Sequence, residues 1–139
     1  MQAPKLNSGV DPLDELECRR LLGTELVGRL GVIIDGRPEI FPVNFALAGE
    51  DIMIRTDQGS KAAAALSGPV VFEVDHFDGA DRSGWSVMVH GSAEVVTGPS
   101  GRPGSQNRAL TPWLDVHLPH LLRITATQIT GRRISGQSA

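Results

Sequence analysis

Two successive segments, residues 70–77 and 85–96, alternate between apolar and polar side chains with a period of two. In the second segment the apolar or small residues fall at every other position: Trp85, Val87, Val89, Gly91, Ala93 and Val95. A period of two is that of a β-strand with one buried face, because successive side chains point to opposite sides of a strand. An amphipathic helix would need apolar residues three or four positions apart. These segments therefore predict antiparallel β-structure with one face buried.

Turn signals indicate further strands on the N-terminal side. Asp35-Gly36 predicts a two-residue hairpin that joins a strand at Leu26–Ile34 to a returning strand at 37–47. Pro38 and Pro42 in the returning strand predict an edge position or a bulge, because proline has no N–H to donate to a neighbouring strand. The remaining predicted strands are 52–56, which follows a turn at 48–51, and 122–134. Five or six antiparallel strands predict a small β-barrel or sandwich, and a barrel is favoured because it leaves no apolar edge exposed.

Three short helices are predicted between these strands. Asp11 and Pro12 are typical of an N-cap and a first helical residue, for a helix that ends at Gly23. A helix of about two turns is predicted at Ser60–Leu66 and another around 108–116. The segment 97–107 is predicted to be a loop from its glycine and proline content.

The composition narrows the class of protein. A chain of 139 residues suits one domain, with flexible tails expected at 1–10 and 135–139. The net charge of −3 and the pI near 5.7 give no basic field for nucleic acid or an anionic membrane surface. Cys18 is the single cysteine, which excludes an internal disulfide. No apolar run approaches the roughly 20 residues of a membrane span, so we expect a soluble cytoplasmic protein.

The segment from Arg55 to Lys61 is the main candidate for a functional site. It joins a predicted strand to a predicted helix and contains Arg55, Thr56, Gly59, Ser60 and Lys61. The backbone N–H groups at a helix N-terminus bind phosphate, and cationic and hydroxyl side chains add donors. The alternative is an ordinary polar connector in which Ser60 only caps the helix. The spacing by itself leaves both interpretations open.

The histidines do not predict a metal site. His117 and His120 have the spacing H-x-x-H, but Pro119 disrupts the helical face that such a pair needs, and no third ligand is evident. Cys18 is predicted to be a small buried residue of the first helix.

Five segments, in this order, carry a resemblance to a known family: GRLGVIIDGRPEIFPVNF, IRTDQGSKAAAAL, VVFEVDHFD, SGWSVMVHGSAEVV and ITATQITGRRI. They resemble the pyridoxamine 5′-phosphate oxidase-like proteins, which bind flavin on a split β-barrel, and most closely the short actinobacterial branch. The resemblance covers Leu13 to Ile134. It implies a six-stranded antiparallel Greek-key split β-barrel that forms a homodimer and binds FMN at the dimer interface.

The resemblance also implies roles for individual residues. The FMN phosphate would be held by four residues of the candidate segment: Arg55, Thr56, Ser60 and Lys61. The strand at Val43 and Asn44 would run beside the isoalloxazine ring, and Trp85 would lie near the flavin of the partner subunit. No catalytic acid or base is implied.

The chain departs from the vitamin-processing oxidases of this family, since it lacks their basic strand before the phosphate segment and their C-terminal Trp and Arg segment. Pyridoxamine phosphate oxidation is therefore not expected. The leading hypothesis is an FMN-dependent oxidoreductase that acts on a small organic molecule. The alternatives are a reductase of the same fold that uses an 8-hydroxy-5-deazaflavin coenzyme and a non-enzymatic flavin- or haem-binding protein.

Overall fold

The computed structural model describes residues 9–56, 60–96 and 120–136, which form seven strands and two helices. The strands are β1 (Val10–Leu13), β2 (Val27–Ile34), β3 (Arg37–Ala48), β4 (Asp51–Thr56), β5 (Val70–Asp78), β6 (Ser83–Val95) and β7 (His120–Ile134). The helices are α1 (Glu15–Leu22) and α2 (Ser60–Ser67). The mainly β, antiparallel architecture predicted from the alternation is confirmed. The predicted helix around 108–116 and loop at 97–107 lie outside the described residues.

Six of the strands close into a barrel. The strand order is β1-β7-β4-β3-β2-β5-β6, and an additional pairing of β6 with β7 completes the circuit. Strands β2, β3 and β4 follow one another through hairpins, and β5 returns to lie beside β2, which is the Greek-key order. One edge of β7 pairs with β6, while its other edge pairs with β4 near the start and with β1 near the end. The predicted split barrel is thus confirmed, with β1 as an additional short strand outside the six-stranded circuit.

The predicted start of the first helix is wrong. Asp11 and Pro12 lie in β1, where they pair with Arg133 and Arg132 of β7. The N-cap of α1 is Asp14, whose carboxylate accepts a hydrogen bond of 2.8 Å from the backbone N–H of Glu17. An Asp-Pro pair also suits an edge strand, because proline needs no partner on the open side. The distant pairing with β7 decides between the two conformations.

The β2–β3 hairpin explains the two prolines. Asp35 and Gly36 both have positive φ, of 51° and 75°, as a two-residue turn of this type requires. The odd-numbered residues of β3, from Arg37 onward, form the backbone hydrogen bonds to β2. Phe45 belongs to this set, and its N–H donates to Leu26 O at 3.1 Å. Pro38 and Pro42 are even-numbered residues, whose backbone groups face the other edge of β3. Among the described strands, that edge is open before Phe45, where the pairing with β4 begins. The predicted edge position is confirmed.

The core fills the barrel interior. Its largest fully buried side chains include Phe45 and Phe72, whose rings meet edge to face with centroids 5.0 Å apart. Helix α1 contributes Cys18, Leu21 and Leu22, and α2 contributes Ala65. Cys18 is buried as predicted. The pKa of its thiol is raised, mainly by this burial. Among the described helices, none is long and apolar enough to cross a membrane.

Candidate functional site

Arg55 lies near the end of β4 on the outer face of the barrel. Ile52 and Ile54 point into the main core, so the alternation of the strand places Met53 and Arg55 on the opposite face. There Arg55 is opposite Leu121 of β7, and its side chain is almost completely buried, with 6% exposed. Burial lowers the pKa of the guanidinium. An apolar cluster lies on the same face and is formed by Met53 and Leu121 with Ala46 and Val96.

The other predicted phosphate ligands follow directly along the chain. Thr56 is the last residue of β4, is buried, and points to the interior side. Helix α2 begins at Ser60, and Lys61 is its second residue, so the predicted strand-to-helix junction is confirmed. The side chains of Ser60 and Lys61 lie outside the described part of the structure. The helix packs against β2 and β6 with Ala65 completely buried, and it begins at Ser60, four residues after the end of β4.

Asn44 lies on the outer face of β3. Its neighbours Val43 and Phe45 point into the core, so Asn44 points away from it. Continuing the β3–β4 register by one residue from the Phe45–Ile54 pair brings Asn44 opposite Arg55. Its side-chain nitrogen Nδ2 is buried and has no hydrogen-bond partner among the described residues. A buried donor without a partner lowers the stability of the unliganded protein. Such a group therefore indicates that a ligand supplies the acceptor.

Two predicted site residues are placed in the core. Val43 is 6% exposed and belongs to the main core cluster, so only its backbone could contact a ligand. Trp85 is 8% exposed and belongs to the same cluster. It pairs with Arg133, near the opposite end of β7 from the Arg55 partner Leu121. The extended β3–β4 register thus places Asn44 and Arg55 on adjacent strands, and Trp85 lies apart from them within one chain.

A charged cluster on the outer face of β2 and β5 was not predicted. The Arg29 guanidinium bonds the Glu73 carboxylate at 3.1 Å and the Asp75 carboxylate at 3.0 Å. Burial raises the pKa of Glu73 to about 7, and the hydrogen bond and negative charge of Asp75 act in the same direction, while Arg29 opposes them. The alternation of β5 places Glu73 and Asp75 on one face, but the pairing of Arg29 with Glu73 depends on the strand register.

An apolar groove and a small polar pocket also lie on the outer face. The groove, of about 340 Å³, runs over β2, β3 and β5 between residues such as Ile33, Ile40 and Val71. The pocket, of about 100 Å³, lies between β6 and β7 and is lined by Ser86, Met88, Thr130, Gly131 and Arg132. Residues of different strands form both, so their position depends on the register of the sheet.

Comparisons with known proteins agree with this architecture. The family model described as pyridoxamine 5′-phosphate oxidase matches residues 14–133. The chain is 32% identical to an uncharacterized protein of Mycobacterium tuberculosis over 98% of this chain and 93% of that protein.

Two solved structures are similar over most of their length. An FAD-binding protein from Mycobacterium smegmatis is 33% identical, with a TM-score of 0.70 over 90% of this chain and 98% of that one. An FAD-binding protein from Mesorhizobium loti is 28% identical, with a TM-score of 0.77 over 91% and 99% of the two chains. Because the family model covers most of the chain and sequence and fold agree with it, this protein belongs to the pyridoxamine 5′-phosphate oxidase family.

Proposed function

We propose that this chain binds a flavin beside Asn44 and Arg55 and uses it as an oxidoreductase on a small organic molecule. The flavin phosphate would bind the Arg55 side chain and the N-terminus of α2 with Ser60 and Lys61, while Thr56, whose side chain points to the interior side, would contribute through its backbone. The ring would lie along the outer side of β3, where the backbone of Val43 and Asn44 and the Asn44 amide are within its reach. Trp85 would contribute only to the flavin of a partner subunit.

The observation that supports the proposal is the buried, unpartnered Nδ2 of Asn44, on the strand next to the one that carries the buried Arg55. A flavin combines an anionic phosphate with a ring whose polar edge accepts hydrogen bonds. A buried cation and a buried amide donor, on neighbouring strands, match those two parts of one ligand. The residues present therefore fit the group.

The bound flavin would supply hydride transfer, and the protein residues would bind and orient it and limit its contact with water. The apolar cluster of Met53, Ala46 and Leu121 on the same face as Arg55 keeps the local dielectric low, which strengthens a charge-assisted bond to phosphate. The chain has no tyrosine, so no phenol acts as proton donor.

The proposal is made for a flavin as a class, since the two similar structures are of FAD-binding proteins. An absorbance spectrum of the purified protein is the first test. The visible absorbance bands of a bound flavin are expected. A deazaflavin or haem spectrum would contradict the proposal, as would the absence of bound flavin after incubation with FMN and FAD.

The phosphate site is tested by titrating FMN into the wild type and Lys61→Ala. Charge-assisted hydrogen bonds contribute about 1.5–3 kcal/mol, so FMN affinity should fall roughly 10- to 150-fold in the variant. The fold should be retained, and thermal unfolding of the two apoproteins checks this.

Riboflavin is the control for this titration, because it has the ring but not the phosphate. It should bind wild type and Lys61→Ala with equal, weak affinity. FMN affinity that does not change in Lys61→Ala would show that residues 55–61 are only a polar connector.

A further inference from the structure

The small polar pocket between β6 and β7 collects three side-chain donors. In the β6–β7 register Ser86 is opposite Arg132, and Met88 is opposite Thr130. These four side chains point outward, because the intervening pair Val87 and Gly131 faces the core. They surround the cavity of about 100 Å³, with Met88 as its apolar side.

The spacing of the donors suits an anion with several oxygens. Directly opposite residues of antiparallel strands have Cβ atoms about 4.5–5.5 Å apart, and diagonal neighbours about 7–8 Å. The hydroxyls of Ser86 and Thr130 and the guanidinium of Arg132 can therefore approach one group from different sides. The volume corresponds to about three water molecules at about 30 Å³ each, which is enough for a phosphate group.

None of these three donors is used within the described part of the chain. No hydrogen bond or ion pair to another described residue involves the side chains of Ser86, Thr130 or Arg132. The adjacent arginine differs, since Arg133 Nη2 lies 3.6 Å from the Glu17 carboxylate. Arg29 likewise bonds two acids on the same outer face. Arg132 is thus a cation whose charge no described acid pairs with.

The nearest acid across the strands does not cancel this charge. Asp75 is opposite Ser86 on β5, but its carboxylate is held by Arg29 at 3.0 Å. Glu73 is opposite Met88 and is bonded by the same guanidinium at 3.1 Å. Both acids next to the pocket are therefore held by Arg29, and neither forms an ion pair with Arg132.

We propose that the pocket of Ser86, Thr130 and Arg132 binds the phosphate group of a small ligand. A carboxylate has two oxygens in one plane, whereas a phosphate group has at least three free oxygens in a tetrahedral arrangement, so each of the three donors can meet a separate oxygen. This site is distinct from the proposed flavin phosphate site, because Arg132 and the Arg55 partner Leu121 lie near opposite ends of β7. The inference does not depend on flavin binding.

The test is a titration of the full-length, ¹⁵N-labelled protein with inorganic phosphate, followed by amide chemical shifts. Saturable shifts are expected at Ser86, Gly131 and Arg132, with a dissociation constant of about 1–10 mM because the site is partly exposed. Arg132→Gln should weaken this binding at least about tenfold, and Ser86→Ala should weaken it by a smaller factor.

Arg133→Gln is the matched control, because it also removes one positive charge. Arg133 is the next residue along β7, and its side chain is directed to Glu17 rather than to the pocket. It should leave the phosphate shifts unchanged. Acetate at equal ionic strength tests the carboxylate alternative and should bind more weakly than phosphate. The proposal is overturned by shifts that do not saturate, by equal effects of Arg132→Gln and Arg133→Gln, by acetate binding as tight as phosphate, or by shifts confined to residues near Arg55.

Discussion

Asn44 lowers the stability of the unliganded protein but serves the proposed binding of a flavin. Its Nδ2 is the one side-chain nitrogen in the described ranges that is buried without a hydrogen-bond partner. Such a group has lost its bonds to water on folding without replacing them. A residue that lowers stability in the unliganded protein is readily explained if a ligand supplies the acceptor.

Asn44→Ala should therefore separate the two effects. Removing the unpartnered donor should leave the free energy of unfolding of the apoprotein unchanged or raise it by up to about 1 kcal/mol. Flavin affinity should fall by about 5- to 10-fold, since one neutral hydrogen bond contributes about 1 kcal/mol. Urea denaturation and a flavin titration measure the two quantities. Destabilisation of the apoprotein with normal flavin affinity would show that Asn44 has only a structural role.

Strands β2 and β5 are joined by the charged cluster of Arg29, Glu73 and Asp75, and the protonation of Glu73 makes its net charge depend on pH. Glu73 has a pKa raised to about 7, first by burial and then by the hydrogen bond and charge of Asp75. The folded protein consequently holds a proton on Glu73 that the unfolded chain releases at lower pH. Between about pH 4.5 and about pH 7 the folded state binds more protons than the unfolded state.

The sign of the resulting pH dependence follows from this difference. The contribution of Glu73 to the free energy of unfolding should fall as pH rises through that window and remain constant above about pH 7. Urea denaturation of wild type and Glu73→Gln at pH 5 and pH 8 isolates it, because the other titrating groups are shared. Asp75→Asn should reduce the effect but keep part of it, since burial remains. Parallel pH profiles for wild type and Glu73→Gln would contradict this prediction.

The seam between β6 and β7 closes the barrel and depends on a glycine. The register shifts between His90 and Gly91, and the Thr127 hydroxyl donates to His90 O at 3.1 Å there. A Cβ on Gly91 would overlap the backbone carbonyl oxygen of Thr125, which cannot move unless the two strands separate. Close approach of two backbones, rather than an unusual φ, requires glycine at this position.

Gly91→Ala should destabilise the protein by about 3 kcal/mol or more, as expected when a core contact is overpacked against backbone. Gly68→Ala is the matched control, since a Cβ there meets no atom within 4 Å, and its effect should stay within about 1 kcal/mol. Thermal and urea unfolding measure both. Equal stability of the two variants would show that the seam can relax.

At the scale of the whole molecule, one outer surface of the barrel is apolar. Ile33 and Ile40 are 56% and 70% exposed, and with Pro38 and Val71 they line the groove of about 340 Å³. The family resemblance implies a homodimer, and we propose that the second copy of the chain covers this surface. Pro38 and Pro42 limit the donors along the open edge of β3, so the contact would be made face to face rather than by strand addition. The neighbouring Arg29 beside Glu73 and Asp75 offers both charges to a symmetric partner.

Light scattering should give about twice the monomer mass of 14.8 kDa at micromolar concentration. Ile40→Lys should shift the protein towards monomer, because it places a charge in the proposed interface. Leu16→Lys is the control, as Leu16 is 81% exposed on α1. A monomeric wild type would remove the proposed dimer, and a dimer unaffected by Ile40→Lys would place the interface elsewhere.

Several elements of this protein could be predicted from residue patterns close together in the chain. The period of two in β5 and β6 identified the buried residues Phe72, Val87 and Val89, because the alternation of a strand links each position to one face. Asp35-Gly36 specified its hairpin, since few residues accept positive φ at two successive positions. The strand-to-helix junction at Arg55 to Ser60 was likewise evident from residue types close together in the chain.

Features that depend on the pairing of distant segments could not be predicted from local residue patterns. Asp11 and Pro12 form a strand rather than a helix start because β7 supplies their backbone partners. Arg29 meets Glu73, 44 residues away, only through the β2–β5 register. The buried Nδ2 of Asn44 and the pocket at Arg132 also depend on which strands lie beside them. A local pattern determines which face a side chain points to, whereas its neighbours depend on the closure of the barrel, to which all the strands contribute.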